Sequence, residues 1–301
     1  MKHIPVFCAT DDNYAAFASV MMVSVLTHTK SFIDFYVMDG GISSKSKRWI
    51  KKDLKPYPNH EVHYVDMKNY DLSRFPNLKH YSTNTFSRYF IPEIAKEYNK
   101  IIYLDVDIVV KKDIKLLFDQ PLGNYALGAV LEDFYAGNYT TLKEHIWPKY
   151  NGGDHYFNAG VLLLDIPKLI KMKFTEKTIE LTNTLADKLN CADQDVLNIL
   201  FENNFQVLDY QFNYMPDHSY MLYTKHPEIG RVDPVIIHYT AAKPWKAVSI
   251  ASEDFDAVFH NSCFFLSTWR KYHVTRSTTS YYVFGIPVVS ITKRHAKRKK
   301  V

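Results

Sequence analysis

"YLDVDIVV", residues Tyr103 to Val110, sets two aspartates inside an apolar run. With Ile101 and Ile102 in front, the stretch reads as a buried β-strand, since a short continuous run of β-branched and aliphatic residues suits a strand covered on both faces. Asp105 and Asp107 do not fit such surroundings. An unpaired carboxylate in an apolar interior is costly. The two acids therefore belong where the strand ends, and they need a positive partner.

Upstream of this stretch, strand-like and helix-like segments alternate. "IPVFCAT" (Ile4–Thr10) predicts a strand, and Tyr14–His28 a helix. "DFYVMD" (Asp34–Asp39) predicts a second strand, followed by the polar amphipathic segment Ser43–Lys55. "EVHYVD" (Glu61–Asp66) predicts a third strand, and Arg88–Tyr98 is helical in pattern. This order implies an α/β fold, a mostly parallel central sheet flanked by helices on both faces. Ligands in such sheets bind beyond the carboxyl ends of the strands. Three strands run into acids there: Asp11 and Asp12, then Asp39, then Asp105 and Asp107. A line of carboxylates along that edge suits a metal or a polar ligand.

Downstream, Tyr125–Leu131 and Ala159–Asp165 predict a fifth and a sixth strand. The segment Glu132–Asn158 between them is a candidate substrate loop. Leu169–Leu189 and Asp193–Phe201 are helical in pattern, and "PVIIHY" (Pro234–Tyr239) is a late strand that includes a histidine. After Ser252 the pattern changes to an amphipathic helix over Phe255–Tyr272, then a Thr-, Ser-, Tyr- and Val-rich stretch to Ile291, then a basic tail.

The chain of 301 residues is long enough for a sizeable core, and 47% apolar with 15% aromatic residues argues against disorder. Six Lys and Arg lie between Lys293 and Lys300 with no acid among them, so the net charge of +5 leaves 5 − 6 = −1 for the rest. On this count the basicity is a tail, and nucleic-acid binding across the body is not expected. Cys8, Cys191 and Cys263 form no disulfide framework and suit a reducing compartment. The opening "MKHIPVFCATDDNY" turns polar before an apolar signal core can form, and "FASVMMVSVL" (Phe17–Leu26) is too short to span a bilayer. A cytoplasmic location is expected.

Several constellations carry possible chemistry. Asp105 and Asp107 can converge on one divalent cation, and their oxygen ligands suit Mg²⁺ or Mn²⁺. An acidic turn or a helix cap uses the same residues. In "HYTAAKPW" (His238–Trp245), His238 can be a third ligand and Lys243 a point charge for phosphate. In "YFNAGVLLLD" (Tyr156–Asp165), Asn158 can bond a sugar hydroxyl, while Ala159 and Gly160 allow close backbone approach to a ligand. In "ADQDVLN" (Ala192–Asn198), the two acids suit a helix start, which does not explain Gln194. "FCATDDNYA" (Phe7–Ala15) leads from a strand through a polar turn to a helix, a nucleotide-binding arrangement without the glycine motif of dinucleotide sites.

In order and spacing these segments together resemble glycosyltransferase family 8, the retaining GT-A enzymes, and within it the bacterial lipooligosaccharide α-galactosyltransferases. The resemblance rests on Asp11 and Asn13, Arg88, Asp105-Val106-Asp107, Asn158-Ala159-Gly160, Asp193-Gln194-Asp195, and His238 with Lys243-Pro244-Trp245. It covers residues 3 to 246. It implies a GT-A, Rossmann-like fold and transfer of a hexose, galactose or glucose, from a UDP-sugar to a glycan, as in lipopolysaccharide biosynthesis.

Carried over, Asp105, Asp107 and His238 hold Mn²⁺ (or Mg²⁺) against the diphosphate. Ala9, Thr10, Asp11 and Asn13 take uracil and ribose, and Val106 lends backbone contacts. Arg88, Asn158, Ala159, Asp193 and Gln194 meet the donor sugar, and Lys243 meets the diphosphate. Asp193 and Gln194 are the catalytic candidates. Gln194 is a neutral amide and a poor nucleophile, which favours same-face attack assisted by the leaving phosphate. Ala241 stands near the place where the family usually carries a phosphate-contacting glycine. On the acceptor side the resemblance points to His80 and to Glu132 or its neighbour Asp133.

The implied organisation is a catalytic domain over residues 1–250, with a nucleotide-sugar half over 1–110 and an acceptor half over 111–250. A C-terminal extension over 251–301 follows. Its aromatics and six cations predict peripheral attachment to an anionic membrane, where a lipid-linked acceptor resides. Rival readings are a non-catalytic nucleotide-sugar or glycan-binding module, a transferase acting on a protein-linked glycan, and a membrane scaffold.

Overall fold

The computed structural model describes residues 3–75, 83–134, 136–153, 155–245, 251–265, 279–283 and 286–291. In chain order its elements are β1 (His3–Thr10), α1 (Ala15–His28), β2 (Phe32–Asp39), α2 (Ser44–Leu54) and β3 (His60–Asp66). A 3-10 segment (Thr83–Phe90) then leads through α3 (Ile91–Ile94) to β4 (Lys100–Leu104), β5 (Ile108–Val110), α4 (Lys115–Phe118) and β6 (Leu127–Leu131). The second half holds α5 (Ala136–Thr141), β7 (Phe157–Asp165), α6 (Ile166–Lys171), α7 (Phe174–Leu185), α8 (Ala192–Leu200) and β8 (Gln206–Leu208). It closes with α9 (Ser219–Lys225), β9 (Ile236–His238), α10 (Ser252–Phe259), β10 (Thr279–Val283) and β11 (Ile286–Ile291).

The central sheet has the order β3-β2-β1-β4-β7-β6-β8. Four of its six pairings are parallel; β7 runs antiparallel to both β4 and β6. The strand period of two splits its side chains between two cores. Val6, Cys8, Ile102 and Leu104 join α1 on one face, while Phe7, Ile101 and Tyr103 join the other. Helix α1 is apolar nearly all round and correspondingly buried along most of its length.

The opening stretch is not one strand. β4 stops at Leu104, and the chain restarts as β5, which leaves the sheet and pairs antiparallel with β9 so that Ile108 faces His238. Asp105-Val106-Asp107 is the turn between the two. Local pattern could not reveal this break, because Ile108–Val110 is as apolar in a two-stranded ribbon as in a sheet.

Other expectations shift at element ends. Arg88–Tyr98 is not one helix: a 3-10 segment ends at Phe90 and α3 starts with Pro92 in its first turn. Leu169–Leu189 divides into α6 and α7 at Lys173, whose φ is 58°. Of the helix expected over Phe255–Tyr272, α10 (Ser252–Phe259) covers only the start: residues 260–264 are turns, and residues 266–272 lie outside the described residues.

The near-neutral body also has a local pattern of charge. In α2 only Ser46, Ile50 and Leu54 are buried, a stripe at fourfold spacing. Lys45, Arg48, Lys51, Lys52 and Lys55 are all exposed, so the body carries its own basic strip balanced by acids elsewhere. Asp53 ties α2 to the segment after α10, accepting from Ser262 Oγ (2.7 Å) and Cys263 N (2.8 Å), while Phe255, Phe259 and Phe264 join the main core. The tail Lys293–Lys300 lies outside the described residues, and among the described residues no helix is long and apolar enough to cross a membrane.

Candidate active site

The site forms where β4 ends. Asp105 N donates to Gly160 O (2.8 Å) and Tyr239 N donates to Asp107 O (3.0 Å), so the turn is stitched to β7 on one side and to the end of β9 on the other. Because β7 is antiparallel to β4, its first residues, Asn158 to Gly160, lie at the same edge as the end of β4. This brings together side chains that are far apart in sequence.

His238 Nε2 lies 3.2 Å from Asp107 Oδ1 and 3.9 Å from Asp105 Oδ2. The ligand atoms of Asp105, Asp107 and His238 all fall within 4.8 Å of one another. Gly160 makes the room: a β-carbon there would stand 2.2 Å from His238 Cε1 and 2.8 Å from Asp105 Oδ2. The small residue expected to let a ligand approach instead lets these two side chains approach. Two carboxylates and an imidazole nitrogen converging on one point fit a divalent cation. A second group, Asp34, Glu61 and His63, lies toward the start of β2 and β3, where Asp34 already pairs with His3 (2.9 Å).

The pair also has protein cations. Burial raises the Asp107 pKa, but Lys243 and His238 outweigh it and hold Asp107 well below the usual carboxylate range. Lys243 Nζ bonds Asp107 Oδ2 and the carbonyls of Tyr239 and Thr240. Asp105 Oδ1 accepts from Arg88 Nη2 and from the Tyr103 hydroxyl, both at 2.9 Å. Arg88 is buried and fully engaged: it also donates to Ala159 O (2.6 Å), pairs with Asp193 Oδ2 (2.9 Å) and stacks on Tyr103 at 4.4 Å. It thus braces two acids rather than reaching free into the cleft.

The cleft has a volume of about 270 Å³. Arg88, Asp105, Asp107, Asn158, Ala159, Asp193, Gln194, His238, Lys243 and Glu132 of the expected residues line it. The run Asp193-Gln194-Asp195 divides its labour. Asp195 turns back to cap the start of α8, accepting from Asn190 N (2.9 Å) and Cys191 N (2.6 Å). Burial raises the Asp193 pKa against the pull of Arg88, and its Oδ2 has no aligned hydrogen bond although it is buried. Gln194 takes Ala159 N on Oε1 (3.0 Å) and gives Nε2 to Glu132 Oε2 (3.1 Å).

Glu132 and Asp133 are now distinguished. Glu132 turns into the cleft, whereas Asp133 pairs with Lys225 (3.2 Å) and His226 (2.8 Å) and accepts from Tyr210. The line of carboxylates expected along the edge is likewise broken up. Asp11 holds the turn into α1, accepting from Asn13 N (2.9 Å) and Tyr14 N (3.2 Å). Asp39 accepts from Gly41 N (2.8 Å) and Ile42 N (2.6 Å) and pairs with Lys47 (2.5 Å). Ala9, Thr10, Asp11 and Asn13 sit at the end of β1, beside β4 in the sheet, but do not line the cleft. Val106 is buried in the core and Ala241 is exposed, neither lining it, and His80 lies outside the described residues.

Sequence reasoning missed Thr85, Asn138, Cys191 and Thr240 in the cleft lining. Only Thr85 had a local signal, three residues before Arg88, from where its hydroxyl reaches Asp193 Oδ1 (2.8 Å). The Cys191 thiol is pushed up to about 12, mainly by burial and then by Asp195, so it is inert.

Residues 5–249 match the family described as Glycosyl transferase family 8. The chain belongs to that family. It is 29% identical over 247 residues to glycosyltransferase GlyF of Streptococcus pneumoniae, covering 81% of this chain and 57% of that protein. It is 28% identical over 244 residues to lipopolysaccharide 1,3-galactosyltransferase of Salmonella typhimurium, covering 78% of this chain and 71% of the other. The fold matches galactosyltransferase LgtC, solved in complex with donor and acceptor sugar analogs, at a TM-score of 0.73 and 29% identity over 89% of this chain and 99% of that one. The chain spans only 57% of GlyF and 30% of pneumococcal GlyA, so this family 8 chain corresponds to a part of those longer proteins. The α/β, GT-A-like fold and the family expected from the sequence are both borne out.

Proposed function

We propose that the protein is a metal-dependent, retaining glycosyltransferase that moves galactose or glucose from a UDP-sugar to a glycan, with lipooligosaccharide or lipopolysaccharide as the acceptor class. The observation that carries this reading is the meeting of Asp105, Asp107 and His238 beside Lys243 in a chain that matches the family over residues 5–249. The named activities of the Salmonella relative and of LgtC support the hexose and the acceptor class.

A divalent cation, Mn²⁺ or Mg²⁺, held by the three ligands would neutralise a leaving diphosphate. Lys243 adds a second positive charge at the same place. Asp193, braced by Arg88 and Thr85 at the wall of the cleft, is the donor-sugar candidate together with Asn158 and Ala159 in the same lining. The nucleoside end of the donor belongs at Ala9–Asn13, with Val106 and Ala241 at the edge of the diphosphate. Gln194 has its carbonyl oxygen tied to Ala159 N, which disfavours it as a nucleophile and supports same-face attack. Glu132 is the acceptor-side candidate that faces the cleft.

The test is release of UDP from UDP-galactose and UDP-glucose, with and without Mn²⁺, over a panel of lipid-linked and protein-linked glycans. Mn²⁺-dependent release is expected. Its absence with every donor and acceptor rejects catalysis in favour of a binding module. Peripheral association with the cytoplasmic face of the membrane belongs to the same proposal, with the basic strip of α2 and the basic tail on the anionic surface. Deleting residues 276–301 should lower the membrane-pelleted fraction; an unchanged fraction removes the tail from this role.

A further inference from the structure

Four buried side chains behind the proposed cation site form a hydrogen-bonded chain whose direction is fixed at both ends. Gly160 N–H, a backbone donor, reaches Asn158 Oδ1 (2.9 Å), so that oxygen accepts. Asn158 Nδ2 then points the other way and donates to the Glu132 carboxylate (3.1 Å). Asn213 also meets Asn158 Oδ1 (2.9 Å), which requires it to present its NH₂ there. Its own oxygen is left facing His238 Nδ1 at 2.9 Å. His238 Nδ1 must therefore carry a proton, which leaves Nε2 as the atom that faces Asp105 and Asp107.

Asn213 is only 1% exposed, His238 3% and Glu132 4%, so water does not compete for these bonds. The backbone holds the arrangement in register. Tyr214 N donates to Ile236 O (2.9 Å) and His238 N donates to Tyr214 O (2.8 Å), so Tyr214 pairs in parallel with Ile237 and keeps Asn213 beside β9, within reach of the His238 ring. Nε2 and the two carboxylates converge on one point, the place a cation would take.

We propose that Asn213 is a positioning residue for metal binding. It fixes the tautomer and ring orientation of His238, and through Asn158 it ties that ligand to Glu132 across the cleft. Outer hydrogen-bond partners of this kind commonly affect metal affinity by roughly 10–100-fold when removed. The inference rests on the reading of Asp105, Asp107 and His238 as metal ligands.

The experiment uses the full chain without donor or acceptor. Mn²⁺ uptake is read from the loss of the free-ion electron paramagnetic resonance signal. The His238 tautomer is read by nitrogen NMR of isotope-labelled histidine in metal-free protein, the resonance assigned by its loss in H238Q. Expected are an Nδ1–H tautomer in the wild type and a roughly 10–100-fold loss of Mn²⁺ affinity with a mixed tautomer in N213L. N213L within twofold of the wild type overturns the proposal. So does a wild-type His238 with its proton on Nε2 and none on Nδ1 in a protein that binds Mn²⁺, and that result leaves the metal reading standing. A wild type that takes up no Mn²⁺ removes the metal reading itself. The wild-type tautomer needs no variant, so a misfolded N213L does not spare the inference.

Discussion

A β-carbon on Gly160 would stand 2.2 Å from Cε1 of His238. The imidazole cannot retreat, because Asn213 holds Nδ1 at 2.9 Å on its far side. The absence of a side chain at one position of β7 therefore lets a histidine 78 residues later reach the end of β4.

Gly160→Ala should accordingly displace His238 and Asp105. We expect Mn²⁺ binding to weaken at least tenfold, with an overpacking cost of about 1–3 kcal/mol in stability. Calorimetric Mn²⁺ titration and urea unfolding measure the two effects. Unchanged Mn²⁺ affinity would show that the cation does not need this approach.

Asp105→Ala affects more than metal binding. It leaves the buried Arg88 with Asp193 as its only ion-pair partner among the described residues and removes the acceptor of the Tyr103 hydroxyl. An unsatisfied buried group costs about 1–3 kcal/mol, more when charged. Asp105→Asn keeps an oxygen facing Arg88 and should lose Mn²⁺ binding with a smaller loss of stability. Denaturant midpoints of the two variants, compared with their Mn²⁺ titrations, separate the roles. Equal stability of the pair would count against the bracing by Arg88.

Glu132→Gln should trade activity for stability. Burial raises the Glu132 pKa, and the hydrogen bonds from Asn158 and Gln194 oppose but do not cancel it. With the folded value above the unfolded one, the folded state binds the proton longer, so this group lowers stability as pH rises from the unfolded toward the folded value. The glutamine variant escapes that loss. Its melting midpoint should exceed that of the wild type at pH 8, and the gap should close as the pH approaches the unfolded glutamate value of about 4.3. Transfer to an acceptor should fall at least tenfold. A gap that widens on acidification would contradict this.

Asp133→Ala tests the division between neighbours. It removes a buried carboxylate that Lys225, His226 and Tyr210 share, while His226 keeps Glu228. The expected cost is about 1–3 kcal/mol of stability, with Mn²⁺ affinity within twofold of the wild type. Loss of Mn²⁺ binding would place Asp133 in the site after all.

What could be read from the chain alone was whatever repeats locally. Short apolar runs marked β1 to β4, an apolar Tyr14–His28 marked α1, and the small polar turns marked strand ends. The identity of the metal-ligand candidates was legible as well, because "LDVD" and "IIHY" are conspicuous interruptions of apolar strands. Tertiary structure decided which acids do what. Asp11, Asp39 and Asp195 resemble Asp105 in local setting, yet each is consumed by nearby backbone N–H groups. Asp105 and Asp107 escape that fate because their turn joins two sheets, and their partners come from afar: Lys243 is 136 residues from Asp107. Asn213 had no signal at all, since an asparagine in "QFNYMP" acquires its role only when its segment aligns beside β9. Local periodicity is encoded by neighbouring residues. The pairing of a buried charge or a ring nitrogen is settled by whichever long-range partner packing brings within 3 Å of it.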